Sequence, residues 1–462
     1  MPEPSGLSAA EIAELEAAIP HILADFAQMK TYAEDPFILD RGEGVYVFDV
    51  HGQRYLDTLA GTASVSVGHR NPAIIEAMVQ QLGKMTFASP NSSVNSASLR
   101  LVKLLLKLVP ANITTIKFYS GGSEANEGML KMARQFWYQS GAPNKRKIIG
   151  RYGEGVGGTL AARATGGLQP VFGPNLPNYV QVQPGNASGG CFACRSRGGQ
   201  CDLSCAQLIE DTIRAEGPDT VAAVIGAPIG QLIWPPRDYW RAVREICDRY
   251  DVLLLFDEIV TGLGRLGVWW GADYVGAYPD LLGVGKGMSG GYAPLSAMLV
   301  SDRVAQVFWG DESRKFDDGH TFNANPLSAT VGHAVLTYII EHDLLAHTRQ
   351  VGAHLLDGLR EIASIHDIFG DVLGVGLYTA MILRRDLRTG SAVPPNGSQW
   401  GRTLHVVGRR HGLLIRPYPS HILIAPPLTI AEAEVDDLLD RLDATLKETL
   451  SLVQPQLPAK HS

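Results

Sequence analysis

The architecture of the chain is most evident in seven residues, 252–258, which read VLLLFDE. Five apolar residues run without a break into the carboxyl groups of Asp257 and Glu258. A strand that is apolar on both faces is typical of a parallel sheet that helices cover on both sides. We therefore predict a buried strand that carries an acidic residue to one edge of a sheet.

Similar short strands alternate with helical stretches on either side of this segment, between about residues 96 and 330. Strands are predicted at residues 115–119, 147–149, 221–225, 252–256, 281–284 and 296–300, with helices at 123–139 and 238–250. This alternation indicates an α/β fold with a mostly parallel sheet. Further elements are predicted as a hairpin at residues 45–57, strands near 377–383 and 413–416, and a final helix near 431–450.

This pattern divides the chain into three parts. Residues 1–70 form an N-terminal segment of helix and hairpin that joins the small domain, and residues 71–330 form the large domain. Residues 331–462 form a C-terminal small α+β domain. Because ligands bind at the carboxyl ends of the strands in such sheets, we expect the site in the large domain.

The composition excludes several classes of protein. An apolar content of 45% with 19% charged residues argues against a disordered chain. The net charge of −7 argues against a nucleic-acid partner, and apolar stretches of about five residues are too short to span a membrane. With five cysteines and no secretory signal pattern, we expect a cytoplasmic protein.

Three predicted strand ends carry groups that suit ligand chemistry. After the first strand, SGGSEAN at residues 120–126 places Gly122 and Ser123 at a helix start, which suits a phosphate, although a plain tight turn has the same pattern. Asp257 ends a buried strand and must be paired or hold a cation, unless it only caps a helix. Lys286 follows another strand, where burial makes its amine nucleophilic; a surface lysine is the alternative.

Taken together, the three groups match the three handles of pyridoxal 5′-phosphate. The glycine turn would hold the phosphate, and Asp257 would keep the pyridine nitrogen protonated so that the ring withdraws electrons. Lys286 would form the Schiff base. The combination is therefore more specific than any one of its parts.

The motifs in their order resemble those of the class III (ω-amino acid type) aminotransferases. The matching stretches are SGGSEANE at 120–127, FDEIVTGLGR at 256–265, GKG at 285–287 with GGYAPL at 290–295, and GHTF at 319–322 with NP at 325–326. Order and spacing fit from about residue 35 to 450. The resemblance implies fold type I of the aspartate-aminotransferase kind, with a seven-stranded, mostly parallel sheet in the large domain.

The resemblance also implies roles for individual residues. Ile259 would pack against one face of the cofactor ring, and Thr321 would reach the phosphate of the partner subunit. Arg416 would bind the substrate carboxylate, for which its planar fork is suited. Ala63 and Phe87 lie in regions that line the substrate pocket. The implied assembly is a homodimer, or a tetramer built from it, with active sites at the interface.

The function implied is transamination between two small molecules. An amine or ω-amino acid would donate its amino group, and a keto acid such as pyruvate would accept it. Lys286 would act as general base and acid, and Asp257 would support the ring nitrogen. The alternatives are another reaction on the same cofactor, such as decarboxylation or amine migration, a cofactor-binding protein with weak turnover, or a non-enzymatic binding protein.

The chain departs from the family pattern at three places. Gly155 and Val156 lie where the family has an aromatic residue and a histidine, and the aromatic normally stacks on the ring. Ala227 lies where the family has glutamate before a proline, so an active-site carboxylate is missing. Small residues around Ala63 and Ala88 suggest a wide pocket for a bulky donor, unless other side chains refill the space.

Four of the five cysteines lie close together at Cys191, Cys194, Cys201 and Cys205. The two close pairs have the spacing of a structural zinc or iron–sulfur site, although the gap between the pairs is short. Reduced thiols and a loop disulfide are the alternatives.

Overall fold

The computed structural model describes residues 6–185, 202–231, 233–384 and 397–453. The strands are β1 (Leu39–Glu43), β2 (Tyr46–Asp49), β3 (Arg54–Asp57), β4 (Ile113–Tyr119), β5 (Lys147–Arg151), β6 (Tyr179–Val182), β7 (Val221–Gly226), β8 (Leu253–Asp257), β9 (Leu281–Val284), β10 (Ser296–Ser301), β11 (Phe369–Val375), β12 (Tyr378–Leu383), β13 (Leu413–Leu414), β14 (Pro417–Tyr418) and β15 (His421–Ile424).

The helices of the described residues follow in the same chain order. They are α1 (Ala9–Ala18), α2 (Met29–Glu34), α3 (Ala60–Ala63), α4 (Pro72–Leu82), α5 (Ser96–Leu105), α6 (Gly122–Gln139), α7 (Leu160–Ala164), α8 (Ser204–Glu216), α9 (Tyr239–Arg249), α10 (Gly271–Val275), α11 (Asp302–Ala305), α12 (Pro326–Glu341), α13 (Leu344–Ile365), α14 (Gly397–Arg410) and α15 (Glu432–Val453). In the part of the chain that the structure covers, no helix combines the length and apolarity needed to cross a membrane.

The central sheet has seven strands in the order β4-β10-β9-β8-β7-β5-β6. The pairs β5–β6, β5–β7, β7–β8 and β8–β9 are parallel, and β10 is antiparallel to both of its neighbours. The expected α/β fold with a mostly parallel seven-stranded sheet is therefore confirmed. Because β4 runs in the same direction as β9, the carboxyl ends of six strands lie along one edge of the sheet.

The apolar runs explain why this sheet forms the core. All six residues of β7 are buried, as are the first four of β8 and all four of β9. Helices α6 and α9 present their apolar faces to the strands, with Met129 and Val243 fully buried. The three central strands are thus covered on both faces, and their polar side chains lie where the strands end.

Two small sheets complete the fold. One has the order β1-β2-β3-β13, with β13 parallel to β3 through Leu413 opposite Leu56. The other, β11-β12-β15-β14, is antiparallel throughout. The predicted hairpin is formed by β2 and β3, and β13 joins it from the C-terminal part of the chain.

Several boundaries differ from the sequence prediction. The strand predicted at 147–149 continues to Arg151, whose side chain is buried. The strand predicted at 413–416 includes only Leu413–Leu414, because only these two residues pair with β3, so Arg416 lies outside a strand. The edge strand Tyr179–Val182 was not predicted, since four residues of mixed polarity give a weak strand pattern.

Candidate active site

The predicted motifs meet at the carboxyl edge of the central sheet, around the side chain of Ile259. A Cβ atom built on Gly122 would lie 2.8 Å from Cδ1 of Ile259, and one built on Gly285 would lie 3.3 Å from the same atom. Gly285 immediately precedes Lys286, and Ile259 follows Asp257 by two residues. The glycine turn, the acidic strand end and the lysine strand end are therefore neighbours in space.

The glycine turn has the geometry of an anion site at a helix start. Helix α6 begins at Gly122 and runs for 18 residues. The carboxylate of Glu124 accepts hydrogen bonds from the amides of Ser120 and Gly121 at 3.0 and 3.2 Å, which orders the turn before the helix. The hydroxyl oxygen of Ser123 accepts the amide of Gly158 at 2.9 Å. The helix dipole and the amides of the first turn favour a phosphate here.

Asp257 ends β8 and is held by two hydrogen bonds. Its Oδ1 accepts the amide of Ile259 at 3.0 Å, and the side chain of Asn126 donates to the carboxylate. Although the residue as a whole is partly exposed, burial of the carboxyl group raises its pKa to about 6 against these two hydrogen bonds. A buried carboxylate of this kind suits a cationic partner such as a protonated ring nitrogen.

Lys286 follows β9 in a strained backbone conformation. Its φ is 44°, a left-handed value that non-glycine residues seldom adopt and that concentrates at functional sites. The turn is fixed by Ser66, whose hydroxyl donates to the carbonyl of Gly287 at 3.0 Å. Burial lowers the pKa of the Lys286 amine, and the carboxylate of Asp257 acts in the opposite direction. Burial thus favours the neutral, nucleophilic amine.

These residues fit pyridoxal phosphate in both shape and chemistry. The lack of a Cβ at Gly122 lets the turn approach Ile259 closely, and the first turn of α6 offers donors to a phosphate. Asp257 offers an acceptor to a ring nitrogen, and Lys286 offers an amine to an aldehyde carbon. Ile259 lies between the three groups as an apolar surface for a ring.

The predicted substrate residues have different environments. Ala63 is buried in an apolar cluster that also contains Trp234 and Tyr378, whose rings stack with centroids 5.7 Å apart. Phe87 is 42% exposed. Arg416 is exposed, and its guanidinium lies 5.5 Å from the ring centre of Tyr418. Trp234 and Tyr378 are thus large side chains in the same cluster as Ala63 that the sequence prediction did not include.

Thr321 lies in a segment that is anchored on the last residue of β4 and on helix α6. The side chain of Asp318 is 1% exposed and accepts hydrogen bonds from Tyr119 at 2.7 Å and Lys131 at 2.6 Å. His320 packs edge-on against the ring of Tyr119, with centroids 5.4 Å apart. Thr321 itself is exposed, so its side chain is open to another molecule.

The departures from the family pattern have a structural basis. Val156 is 3% exposed and packs in the core beside Met129, and a side chain at Gly155 would meet Arg163. Neither position therefore offers an aromatic face to the pocket. The carbonyl of Ala227 accepts a hydrogen bond from Arg151 at 2.6 Å.

The cysteine cluster is only partly covered by the structure. Cys191, Cys194 and Cys201 lie outside the described residues. Cys205 is fully buried in α8, close to Gly185. In the described ranges no three His, Cys, Asp or Glu side chains come together as a metal site.

Comparison with known proteins gives consistent matches over nearly the whole chain. Residues 28–446 match the family described as aminotransferase class III. A putrescine–pyruvate aminotransferase of Pseudomonas aeruginosa PAO1 is 29% identical over 443 residues, which cover 94% of this chain and 95% of that protein.

Solved structures agree with the sequence matches. A thermostable (S)-enantioselective omega-transaminase from Thermomicrobium roseum has a TM-score of 0.88 at 32% identity, with 96% of this chain and 100% of that chain covered. The omega transaminase of Pseudomonas jessenii, solved in complex with PMP, has a TM-score of 0.88 at 30% identity, with 96% and 99% covered.

Proposed function

Because the chain belongs to the class III aminotransferases, it is a pyridoxal-phosphate-dependent transaminase, and we propose that Lys286 and Asp257 are its catalytic residues. The observation that supports this assignment is the meeting of the glycine turn, Asp257 and Lys286 around Ile259. Amino groups pass to a keto acid, and the similarity to a putrescine–pyruvate aminotransferase supports pyruvate.

Each residue has a distinct part in the proposed mechanism. The bound cofactor supplies an electron-withdrawing ring that stabilises negative charge on the donor carbon. The carboxylate of Asp257 would hold a proton on the ring nitrogen. The amine of Lys286, whose pKa is lowered by burial, would take a proton at Nζ from the donor carbon and later give it back to the cofactor. Gly122 and Ser123 bind the phosphate.

Visible absorbance tests this assignment. Incubation with pyridoxal phosphate is expected to give a coloured protein whose absorbance bleaches when an amino donor is added and returns with pyruvate. The Lys286→Ala variant should lose the covalent colour while keeping the fold. A protein that stays colourless would contradict the proposal. Colour without bleaching would favour the alternative of weak turnover, and carbon dioxide release without an acceptor would favour decarboxylation.

We propose that the donor is an amine or ω-amino acid whose carboxylate, where present, is bound by Arg416. Among the described residues no carboxylate forms an ion pair with Arg416, and its guanidinium rests on the ring of Tyr418. Ala63 has a small side chain, whereas Trp234 and Tyr378 in the same buried cluster have large ones. A donor panel decides the size limit; activity with short ω-amino acids alone would contradict a wide pocket.

We propose a homodimer in which Thr321 reaches the phosphate of the partner subunit. Exposed apolar side chains lie on helices α4, α5 and α12, and α12 packs against both of the others. They are Val79, Leu82, Leu99 and Ile340. Nearby, the exposed rings of Phe87 and Phe322 contact each other with centroids 6.1 Å apart. A surface of this kind is typical of a subunit interface.

A metal at the cysteine loop and a cytoplasmic location remain predictions from the sequence. The zinc or iron–sulfur prediction depends on spacing, and three of its four cysteines lie outside the described residues. Fewer than one zinc or iron per chain after expression in metal-supplemented medium would contradict it. Fractionation of producing cells tests the location.

A further inference from the structure

A buried ion pair lies beside the proposed cofactor site and has no part in the function described above. Arg151 ends β5 with its side chain 1% exposed, and Glu154 follows three residues later with its side chain 10% exposed. Nε and Nη2 of Arg151 donate to the two carboxylate oxygens of Glu154 at 2.6 and 2.5 Å. The guanidinium also lies 4.7 Å from the ring centre of Trp240. The pair is therefore held in one fixed geometry.

The loop after β7 leaves room for this carboxylate. A Cβ atom built on Gly226 would lie 3.0 Å from one oxygen of Glu154, and a Cβ on Gly230 would lie 2.5 Å from the other. Between these glycines, the carbonyl of Ala227 accepts a hydrogen bond from Arg151. The carboxylate of Glu154 thus lies against the loop that contains Ala227.

Glu154 also begins the segment that reaches the cofactor-binding residues. Two residues later the carbonyl of Val156 accepts a hydrogen bond from Asn126, the residue that donates to Asp257. The amide of Gly158 donates to Ser123 in the phosphate turn. The charge of Glu154 itself acts on Asp257 and raises the pKa of that carboxyl group further. Residues 154–158 therefore connect the ion pair to both ends of the cofactor site.

We propose that Glu154 is a positioning residue for the cofactor: from the loop after β5 it places a carboxylate against the loop of Ala227 and fixes residues 154–158 against Ser123 and Asn126. This inference rests on the proposed function. It also accounts for a segment that has no stacking aromatic: polar anchors at its two ends hold its backbone in place. Arg151 is the counter-charge that allows a carboxylate to be buried there.

The test measures the affinity of the apo-protein for pyridoxal phosphate in variants of Glu154. In Glu154→Gln we expect the Kd for pyridoxal phosphate, measured by absorbance titration of the apo-protein, to rise about tenfold or more. The control Asp357→Asn removes a carboxylate from the exposed Asp357–Arg360 pair and should leave the Kd unchanged. An unchanged Kd in Glu154→Gln would overturn the proposal, whereas failure of the wild-type protein to bind the cofactor would instead overturn the proposed function.

Two further variants separate positioning from folding. In Arg151→Met/Glu154→Leu no buried charge is left unpaired, so we expect a thermal midpoint of the apo-protein near that of the wild type, with a raised Kd. A wild-type Kd in this variant would overturn the proposal. Adding Ala227→Glu to Glu154→Gln places a carboxylate in the neighbouring loop that Arg151 contacts and should lower the Kd again. Failure of this rescue in a folded protein would also count against the proposal.

Discussion

Single residues at the site respond to burial in opposite directions. Burial raises the pKa of Asp257 to about 6 and lowers the pKa of the Lys286 amine. In the apo-protein, both shifts disfavour the charged forms that an isolated ion pair would require. The site therefore suits a ligand that places a protonated ring nitrogen beside Asp257 and an electrophilic carbon beside Lys286.

Asp257→Asn is expected to stabilise the apo-protein while abolishing transamination. Because the pKa of Asp257 is raised in the folded state, the free energy of unfolding of the wild-type protein falls as the pH rises from about 4 to about 6. Above pH 6 this loss of stability stays constant. The amide oxygen of the substituted side chain can still accept the amide of Ile259. We expect equal thermal midpoints near pH 4 and a midpoint about 1–4 °C higher for the variant at pH 7.5. A lower midpoint at pH 7.5 would contradict this account.

Gly122→Ala is expected to weaken cofactor binding. The added Cβ would lie 2.8 Å from Cδ1 and 3.0 Å from Cγ2 of Ile259, so that side chain must move from between the three motifs. We expect the Kd for pyridoxal phosphate to rise about tenfold. Gly370→Ala in β11 is the control, because its Cβ would meet its nearest neighbour at an ordinary distance of 3.4 Å, away from the site. Equal Kd values for the two variants would show that the close approach is unimportant.

Some residues of the site can be predicted from the sequence and others cannot. Asp257 and Lys286 are predictable because a charged residue directly after an apolar strand is conspicuous. Glu154 and Asn126 are not, since a charge in a glycine-rich loop and an amide in a helix look ordinary. Glu154 faces Gly226 and Gly230, and Asn126 faces Asp257; these residues are distant in sequence and become neighbours only when the strands are ordered in the sheet.

At the scale of secondary structure, the strands are more predictable than the connections between them. The apolar runs of β7, β8 and β9 require burial on both faces, so their approximate positions follow from the sequence. The continuation of β5 to Arg151 does not, because a buried cation is compatible with a strand only when a partner such as Glu154 neutralises it.

The segment before Thr321, which Asp318 anchors, allows a prediction about cofactor binding. Burial of the Asp318 carboxyl group opposes its ionisation, but hydrogen bonds from Lys131 and Tyr119 outweigh it and hold the pKa below its usual value. Asp318→Asn weakens the bond to Lys131 and should release the segment. We expect the Kd for pyridoxal phosphate to rise several-fold, with Asp311→Asn in an exposed turn as the control. Similar Kd values in both variants would indicate that the hydrogen bonds of Asp318 do not affect cofactor binding.

At the scale of the whole molecule, we predict that the exposed apolar side chains on α4, α5 and α12 form the dimer interface. Val79 is 63% exposed, and a charge there should disfavour association of two apolar surfaces. We expect Val79→Glu to lower the molecular mass found by sedimentation velocity to that of one chain, and to reduce cofactor affinity because Thr321 loses its partner. Leu452→Glu, which alters an exposed leucine on α15, is the control. A dimer in both variants would place the interface elsewhere.

The pairing of β13 with β3 has a consequence for biosynthesis. The hydroxyl of Thr58 donates to the carbonyl of Leu414 at 2.8 Å, across 356 residues of chain. While the ribosome is still making the intervening sequence, the hairpin of β2 and β3 has an open edge with no strand to cover it. Nascent chains are therefore exposed to aggregation until translation is almost complete, and chaperones that shield strand edges should matter most during that interval.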